Sequence, residues 1–367
     1  MRAPWGRRLR RAAAALVVAG LVALVGTRTG RYLLRAGWEE ARILAGRRPI
    51  AALVADPAVD AATRDKLRLV LEARAFAVDA LGLAADESFT QFTQLERDTL
   101  VVLVSGVRKD RLLVRSWWFP VVGRVPYKGF FDVDDARAEA RGLAERGYDV
   151  ALRPASAFST LGWFNDPLLS TTLRADSASL VNTVIHELLH NTFYAPGHTV
   201  LNESFANFVG ARGAERFFRA RGDTAAANRA ARTWSDERVL GAFWQRAYEA
   251  LDSAFALHPD DDSLSRARRL AARDTVFAGL RAELLADVGP ALLETDATLL
   301  RQVQFNNALI MARRIYRTDL WLFDAVLARE NGDLQRTIAR VGEIVADRGE
   351  LEPYEALRLS VLGEPEY

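Results

Sequence analysis

Cysteine is absent from this chain of 367 residues, and histidine is scarce. The lack of cysteine excludes disulfide bonds, thiolate zinc sites, cysteine nucleophiles and cysteine-bound iron–sulfur clusters. Any metal chemistry must therefore use carboxylates and the few imidazoles that the chain has. There are four histidines, namely His186, His190, His198 and His258.

A large excess of charge of either sign is also missing. The chain has 49 Lys and Arg against 47 Asp and Glu, which gives a formal charge of +2. This balance argues against a dedicated nucleic-acid-binding protein, because such proteins usually carry a basic excess on one face. Half of the residues are hydrophobic, which is enough for a sizeable core and too many for a disordered chain.

Positive charge is concentrated at the amino terminus, where five arginines fall within the first eleven residues. Ala12–Gly26 follows with no charge over 15 residues, a length typical of a signal peptide and short for a membrane span of about 20 residues. No small-x-small cleavage site follows, so an uncleaved signal anchor is favoured over a cleaved signal peptide in residues 1–27. The arginines predict that this end stays in the cytoplasm and that the rest of the chain lies on the extracytoplasmic side of the membrane.

Hydrophobic periodicity predicts that residues 28–367 form one domain of α+β class that is predominantly α-helical. We expect a small β-sheet on its N-terminal side and a helical C-terminal half. The pattern marks helices at 28–48, 60–85 and 134–146, strands at 99–107 and 148–152, and an aromatic hairpin or loop at 117–131. The first helix is expected to have an apolar side formed by Leu34, Trp38, Ala41 and Ala45.

One short stretch, TVIHELLHN, carries the residues of a metal site. His186 and His190 are four residues apart, so on a helix both rings lie on one face and can reach one cation. Glu187 lies at the flank of that face, where it can act as a general base. The other positions of the motif are apolar, and Asp176 or Ser177 can cap the start of the helix.

A catalytic zinc site needs a third protein ligand and one open position. Glu203 follows His190 by thirteen residues, within the stretch LNESFAN. We expect Asn202 to cap a second helix, with Glu203 on its first turn and facing the first helix. A carboxylate that faces two imidazoles gives a His2Glu site, which predicts one Zn2+ per chain.

His198 is a rival third ligand, because a metzincin has Gly and His three and six residues after its second histidine. Those positions hold Phe193 and Pro196 here, and His198 comes two residues too late. We therefore expect His198 at the rim of the site, either as a donor to the oxyanion or as a loop residue. His258, followed by proline and three aspartates, is assigned no role.

Several blocks of the sequence, in order, resemble the predicted bacterial zinc aminopeptidases of the gluzincin type, which are usually exported and membrane- or lipid-anchored. They are WFP at 118–120, GRVPYKGFFD at 123–132, GYDV at 147–150, STLGWF at 159–164, DPLLS at 166–170, the HExxH, NESFA at 202–206, NNA at 306–308 and Tyr316. The resemblance implies a zincin-like metallopeptidase fold, with His186, His190 and Glu203 on zinc and Glu187 as base. The chain departs from the family pattern at the lipobox cysteine, where Gly26-Thr27 stands, and at Phe158 and His198, where Tyr and Asp are expected.

The predicted function is zinc-dependent peptide hydrolysis, in the first place as an aminopeptidase. The candidate donors to the oxyanion are Tyr127, Tyr194 and His198. The candidates for binding the substrate backbone are Asn306 and Asn307. A free-amine specificity also needs an acidic anchor, for which the candidates are Asp132, Asp149 and Asp166, although caps and turns are their simpler roles.

Two other functions stay open from the sequence. A zinc endopeptidase acting on envelope peptides would use the same metal centre without an amine anchor. A non-catalytic, membrane-anchored, zinc-binding envelope factor would use the metal structurally, although structural sites usually have four protein ligands and three are visible. The expected partners are a peptide or protein substrate and, through residues 12–26, the membrane, with no nucleic acid.

Overall fold

The computed structural model describes residues 25–96, 101–119, 123–155 and 167–363. The predicted signal segment in residues 1–27 therefore lies almost wholly outside the described residues. None of the helices in the described ranges combines the length and the apolar character that crossing a membrane requires.

Small β-sheets lie in the N-terminal half of the described chain. The strands are β1 (Arg48–Pro49), β2 (Gln91–Thr93), β3 (Val101–Arg108), β4 (Trp117–Phe119), β5 (Gly123–Val125), β6 (Lys128–Phe130), β7 (Tyr148–Ala155) and β8 (Leu168–Leu169). β3 pairs antiparallel with both β6 and β7. Its register with β7 runs from Val101 opposite Ala155 to Arg108 opposite Tyr148. β7 is therefore an edge strand. β4 and β5 form a hairpin, and β2 pairs with β1 and β8.

Helices make up most of the rest of the described chain. They are α1 (Arg28–Ala45), α2 (Ile50–Ala55), α3 (Ala61–Leu81), α4 (Val133–Glu145), α5 (Ser177–Thr192), α6 (Thr199–Ala220), α7 (Thr224–Ala256), α8 (Ser263–Glu283), α9 (Gly289–Ala291), α10 (Ala297–Arg301), α11 (Asn307–Arg314), α12 (Leu320–Arg329), α13 (Leu334–Ala346) and α14 (Pro353–Leu362). A 3-10 turn at Thr172–Arg174 and a π turn at Leu284–Val288 complete them. The predicted class is confirmed: the chain is mostly helical, with small sheets on its N-terminal side and a helical C-terminal half.

Two glycines allow α5 and α6 to pack closely in the main core. A Cβ atom at Gly210 would lie 2.8 Å from the Asn182 carbonyl oxygen, and one at Gly213 would lie 2.9 Å from Ile185 Cγ2. Larger side chains at these two positions would push the helices apart, because a packed interior has little free space. This approach brings Glu203, near the start of α6, beside the last turns of α5.

Aromatic rings complete the core where α6, α7 and α12 meet. Phe205 and Phe208 lie on α6, Trp234 on α7 and Phe323 on α12, and all four are buried. Phe205 stacks on Phe323 with ring centroids 5.2 Å apart, and Phe208 meets Trp234 edge-on at 5.6 Å. Each such ring removes about 150–250 Å2 from water, so these contacts hold α6 firmly in one orientation.

The apolar side predicted for α1 is exposed, and a different side of the helix is buried. Leu34 and Trp38 are 47% and 68% exposed, whereas Glu39 and Ile43 are buried. α1 instead contacts β4 through Tyr32, whose ring centroid lies 5.6 Å from that of Phe119 on β4. Helical periodicity finds the residues that share a face, but the neighbouring elements decide which face is covered.

Asp236, on α7, holds the segment between α9 and α10. Its side chain is buried, and its two oxygens accept hydrogen bonds from the N–H groups of Leu293 (2.7 Å), Glu294 (2.9 Å) and Thr295 (2.7 Å). Burial by itself raises the pKa of Asp236, but these three donors lower the pKa by more, so the net change is downward. The folded state therefore favours the ionised carboxylate.

We expect Asp236→Asn to lower the free energy of unfolding by about 1–3 kcal/mol at neutral pH, because an amide leaves part of this N–H cluster unsatisfied. The depressed pKa stabilises the fold fully above the unfolded value of about 3.9, and this contribution is lost as pH falls through the folded value. Urea denaturation from neutral pH to about pH 3 measures both effects. Asp252→Asn, at an exposed position on the same helix, is the control, and equal effects of the two substitutions would contradict the role of Asp236.

Candidate metal centre

α5 places both histidines of the HExxH motif on one face. Asp176 caps the helix, as predicted, by accepting hydrogen bonds from Ala178 N (3.0 Å) and Ser179 N (3.2 Å). The apolar residues of the motif are fully buried, which fixes the rotation of α5 about its axis. The His186 and His190 rings consequently lie together, with centroids 5.1 Å apart.

The prediction that Asn202 caps the second helix is wrong. α6 begins earlier, at Thr199, and Asn202 is buried within its first turn. The Asn202 side chain accepts a hydrogen bond from Ala195 N and donates one to Ala195 O, both at 2.9 Å. It stabilises the loop before the helix, because an asparagine amide can pair with loop backbone as well as with helix N–H groups. Glu203 therefore follows the first turn of α6.

Glu203 faces both imidazoles. Its Oε2 lies 3.5 Å from His186 Nε2, and its Oε1 lies 3.8 Å from His190 Nε2. Ligand atoms about 2.0–2.1 Å from a tetrahedral Zn2+ would be roughly 3.3–3.4 Å from one another. The three ligand atoms lie within 4.8 Å of one another, so they could hold a metal ion of this size if the side chains moved closer together. Within the described ranges these three side chains are the ones placed to share a metal ion.

The three side chains shift one another's pKa values. Burial lowers the pKa of His186, but the hydrogen bond to Glu203 and the nearby carboxylate charges raise that pKa by more. Burial lowers the pKa of His190, and the His186 charge lowers it further. Burial raises the pKa of Glu203, but the two histidines outweigh it and lower that pKa. Protons and a metal ion would therefore compete for the same atoms, as at other histidine–carboxylate metal sites.

Glu187 is exposed and directly follows the first histidine. Its negative charge acts to raise the pKa of His186 and of His190, so its carboxylate lies within electrostatic range of both rings. An exposed carboxylate beside the three ligand candidates has access to water. Access to water is one requirement of a general base.

Tyr316 belongs to the site although it was not among the predicted catalytic residues. Asn207, one helical turn after Glu203, donates a hydrogen bond to the Tyr316 backbone oxygen at 3.1 Å and holds this residue beside Glu203. Burial, and then the Glu203 charge, raises the pKa of Tyr316 and likewise that of Tyr127. Both are therefore neutral phenols near neutral pH. The sequence signal for Tyr316 was its place among the family blocks.

Arg153, on the edge strand β7, is a second site residue that the sequence did not indicate. Its Nη1 donates a hydrogen bond to the Tyr316 hydroxyl at 3.1 Å, and its guanidinium lies 5.3 Å from the centre of the Tyr316 ring. The phenol oxygen accepts this hydrogen bond and keeps its own hydrogen for another acceptor. The Arg153 charge also acts to lower the pKa of Glu203.

Tyr194 and His198 lie farther out. Tyr194 is exposed, and its proximity to Tyr127 contributes to the raised pKa of that phenol. His198 Nδ1 lies 3.7 Å from Glu352 Oε2, and His198 is not one of the three residues that could share a metal ion. The catalytic roles of Tyr127, Tyr194 and His198 stay predictions.

Asn306 and Asn307 hold α11 against the sheet. Asn306 caps α11 by accepting a hydrogen bond from Leu309 N (2.7 Å), and its amide donates to Val150 O (3.4 Å). Asn307 is buried, and its amide donates to Arg108 O at 2.8 Å. These contacts give both side chains a structural role, and their substrate-binding role stays a prediction.

Two of the candidate amine anchors have other contacts. Asp132 caps α4 by accepting a hydrogen bond from Asp134 N at 2.7 Å. Asp149 is buried and lies 3.1 Å from Arg273 Nη1. Asp166 lies outside the described residues.

The fold and the site define an α+β protein with a candidate His2Glu metal centre. A family model described as "Putative aminopeptidase" matches residues 31–352, and the chain belongs to this family. No curated protein and no solved structure matches the chain. Membership of the family indicates a peptidase.

If the three side chains hold the metal, Glu203→Ala should lower the affinity for Zn2+ by more than about 100-fold, since even the residues that support a ligand cost 10- to 100-fold. His198→Ala should retain one zinc per chain, because His198 lies outside the group. Metal analysis after dialysis against a chelator series measures both. Loss of zinc from the His198 variant, with retention in the Glu203 variant, would exchange the two assignments.

Proposed function

We propose that this protein is a zinc metallopeptidase of the gluzincin type that acts as an aminopeptidase. The observation that carries the proposal is the convergence of His186, His190 and Glu203 from two helices. The exposed Glu187 directly follows His186 in the chain. Two imidazoles and one carboxylate are the protein ligands of thermolysin-type sites, which leave one position open for reaction. The aminopeptidase family supports the choice of peptide bonds as substrate.

Zn2+ bound by these residues would supply a Lewis acid that polarises the scissile carbonyl and lowers the pKa of its water toward about 7. Glu187 then accepts a proton from the attacking water at a carboxylate oxygen and passes it to the nitrogen of the leaving amine. Its exposure suits this role, because it must reach water before the reaction and the amine after it.

Tyr316 is the donor that we assign to the developing oxyanion. Asn207 holds Tyr316 beside Glu203. Arg153 donates a hydrogen bond to the Tyr316 hydroxyl oxygen, so the hydroxyl hydrogen can be donated to another acceptor. Tyr127 is also near Glu203 and is the second candidate. A preorganised hydroxyl of this kind favours the transition state over the uncharged substrate.

We also propose that the enzyme acts outside the cytoplasm, in the cell envelope, and is anchored to the inner membrane by Ala12–Gly26. The arginines before this segment and its apolar character support the orientation. The exposed Leu34 and Trp38 on α1, shortly after the segment, are compatible with a position close to a lipid surface.

Glu187→Gln tests the proposed mechanism. The variant should keep one zinc per chain, because the three ligands are untouched, and should lose about 10²- to 10⁴-fold in kcat, because an amide cannot take the proton. Mass spectrometry of a peptide library digested by residues 28–367, with and without chelator, gives the cleavage sites. Glu350→Gln, at an exposed position, is the matched control. Unchanged peptidase activity in the Glu187 variant would refute the assignment.

Tyr316→Phe should lower kcat by roughly 10²- to 10³-fold with little change in KM, because the hydroxyl acts on the transition state more than on the bound substrate. Tyr127→Phe and Tyr194→Phe, measured with the same peptide, should have smaller effects. A larger loss of kcat in either of these two variants would move the oxyanion role away from Tyr316.

A further inference from the structure

A cavity of about 230 Å3 opens beside the edge strand β7 and helix α11. Its walls include the apolar side chains of Trp244 and Leu309, and Arg313 also lines it. A cavity of about 150 Å3 can hold benzene, so this one has room for a large amino-acid side chain. Arg313 lies three residues before Tyr316, whose hydroxyl accepts a hydrogen bond from Arg153, so the cavity adjoins the candidate metal centre.

The arginines that surround this region differ in their partners. Arg317 donates to Glu237 at 2.7 Å, and Arg314 donates to Gln245 at 3.2 Å. Arg153, by contrast, contacts only the neutral Tyr316 in the described part of the chain, and Arg313 has no hydrogen-bond or ion-pair partner there. Neither arginine therefore has a direct contact with a carboxylate within the described residues, although Glu203 acts electrostatically on Arg153 and Glu237 on Arg313.

Arg153 and Arg313 are both exposed, so their guanidinium groups are accessible to a ligand. The pKa of Arg313 is lowered, first by loss of solvation and then by the Arg317 charge; the Glu237 charge acts to raise it, and the Arg153 charge acts to lower it. A Zn2+ ion held by two neutral imidazoles and Glu203 would add one more net positive charge nearby. An anionic group on the substrate would offset these charges and accept hydrogen bonds from a planar guanidinium.

We propose that Arg153 and Arg313 form a carboxylate-binding subsite between the metal centre and the 230 Å3 cavity, which selects peptides that carry a negative charge close to the scissile bond. The inference rests on the proposed peptidase function and names its substrate class. The carboxylate is either the free C-terminus of a short peptide or an acidic side chain, since both present the same group to an arginine.

This subsite refines the aminopeptidase assignment. The acids in contact with this region are already engaged, since Glu203 faces the histidines and Glu237 pairs with Arg317. In the described residues the charge around the cavity therefore favours the anionic end of a peptide over a free amine. A short peptide held by its carboxylate would be placed with its amide bond near the three ligands.

Two pairs of peptides test the proposal. One pair is Leu-Ala-Gly with a free C-terminal carboxylate or with a C-terminal amide. The other is Leu-Glu-Ala-Gly or Leu-Gln-Ala-Gly, both amidated. We expect kcat/KM to be roughly ten- to hundredfold higher for the charged member of at least one pair, as charge-assisted hydrogen bonds allow. The pair that shows the preference identifies the source of the carboxylate.

Arginine substitutions assign the preference to this subsite. Arg153→Gln and Arg313→Gln should each bring the charged-to-neutral ratio close to one, and Arg313→Lys should keep part of it. The ratio separates recognition from the help that Arg153 gives to Tyr316, because that help affects both members of a pair. Arg268→Gln, at an exposed position on α8, is the matched control. A wild-type ratio near one for both pairs, or a ratio that survives both glutamine substitutions, would overturn the proposal.

Binding to the Glu187→Gln protein separates this inference from the proposed function. Calorimetry with the same four peptides and zinc needs no turnover. A preference for the charged peptides that depends on Arg153 and Arg313 would support the subsite even if the wild-type protein cleaved none of them, an outcome that would refute the peptidase function alone. Equal dissociation constants within each pair would refute the subsite, whatever the activity.

Discussion

The close packing of α5 against α6 is the constraint on which the site depends. Gly210 and Gly213 leave no side chain between the helices, so the backbone of α6 approaches Asn182 and Ile185 closely. Glu203 then comes within 3.5–3.8 Å of both histidine rings. Since zinc–ligand distances tolerate little error, a wider separation would leave the histidines without a third ligand.

Around this pair the rest of the fold supplies the second half of the site. Ser204 and Asn207 on α6 donate hydrogen bonds to the segment that carries Tyr316, and Ser204 also accepts one from it. These hydrogen bonds join the C-terminal helices to α6. β7 brings Arg153 from the opposite side, out of the small N-terminal sheet. In the proposed site, two helices carry the metal ligands, an edge strand carries Arg153, and a loop carries Tyr316.

Much of the arrangement of His186, His190 and Glu203 could be predicted from the sequence. The four-residue spacing of His186 and His190 requires only a helix, and buried apolar neighbours keep that helix from rotating. Glu203 was found by its distance along the chain, although its expected cap, Asn202, was wrong because that side chain pairs with Ala195 instead. The prediction that Leu34 and Trp38 lie on the buried side of α1 was wrong, because α1 packs through its other side.

The sequence by itself determined the fold class, the two histidines and the neighbouring Glu187, because each depends on local periodicity or on residues within one helical turn. Only the tertiary structure decided that Arg153 and Tyr316 meet, that Arg313 faces a cavity, and that Asn307, the first residue of α11, is buried against the end of β3. These residues lie far apart in the chain, and packing alone, through elements such as β7 and α11, brings them together. The charge of the site follows from that packing, because packing decides that the Arg153 guanidinium lies near Glu203 and Tyr316.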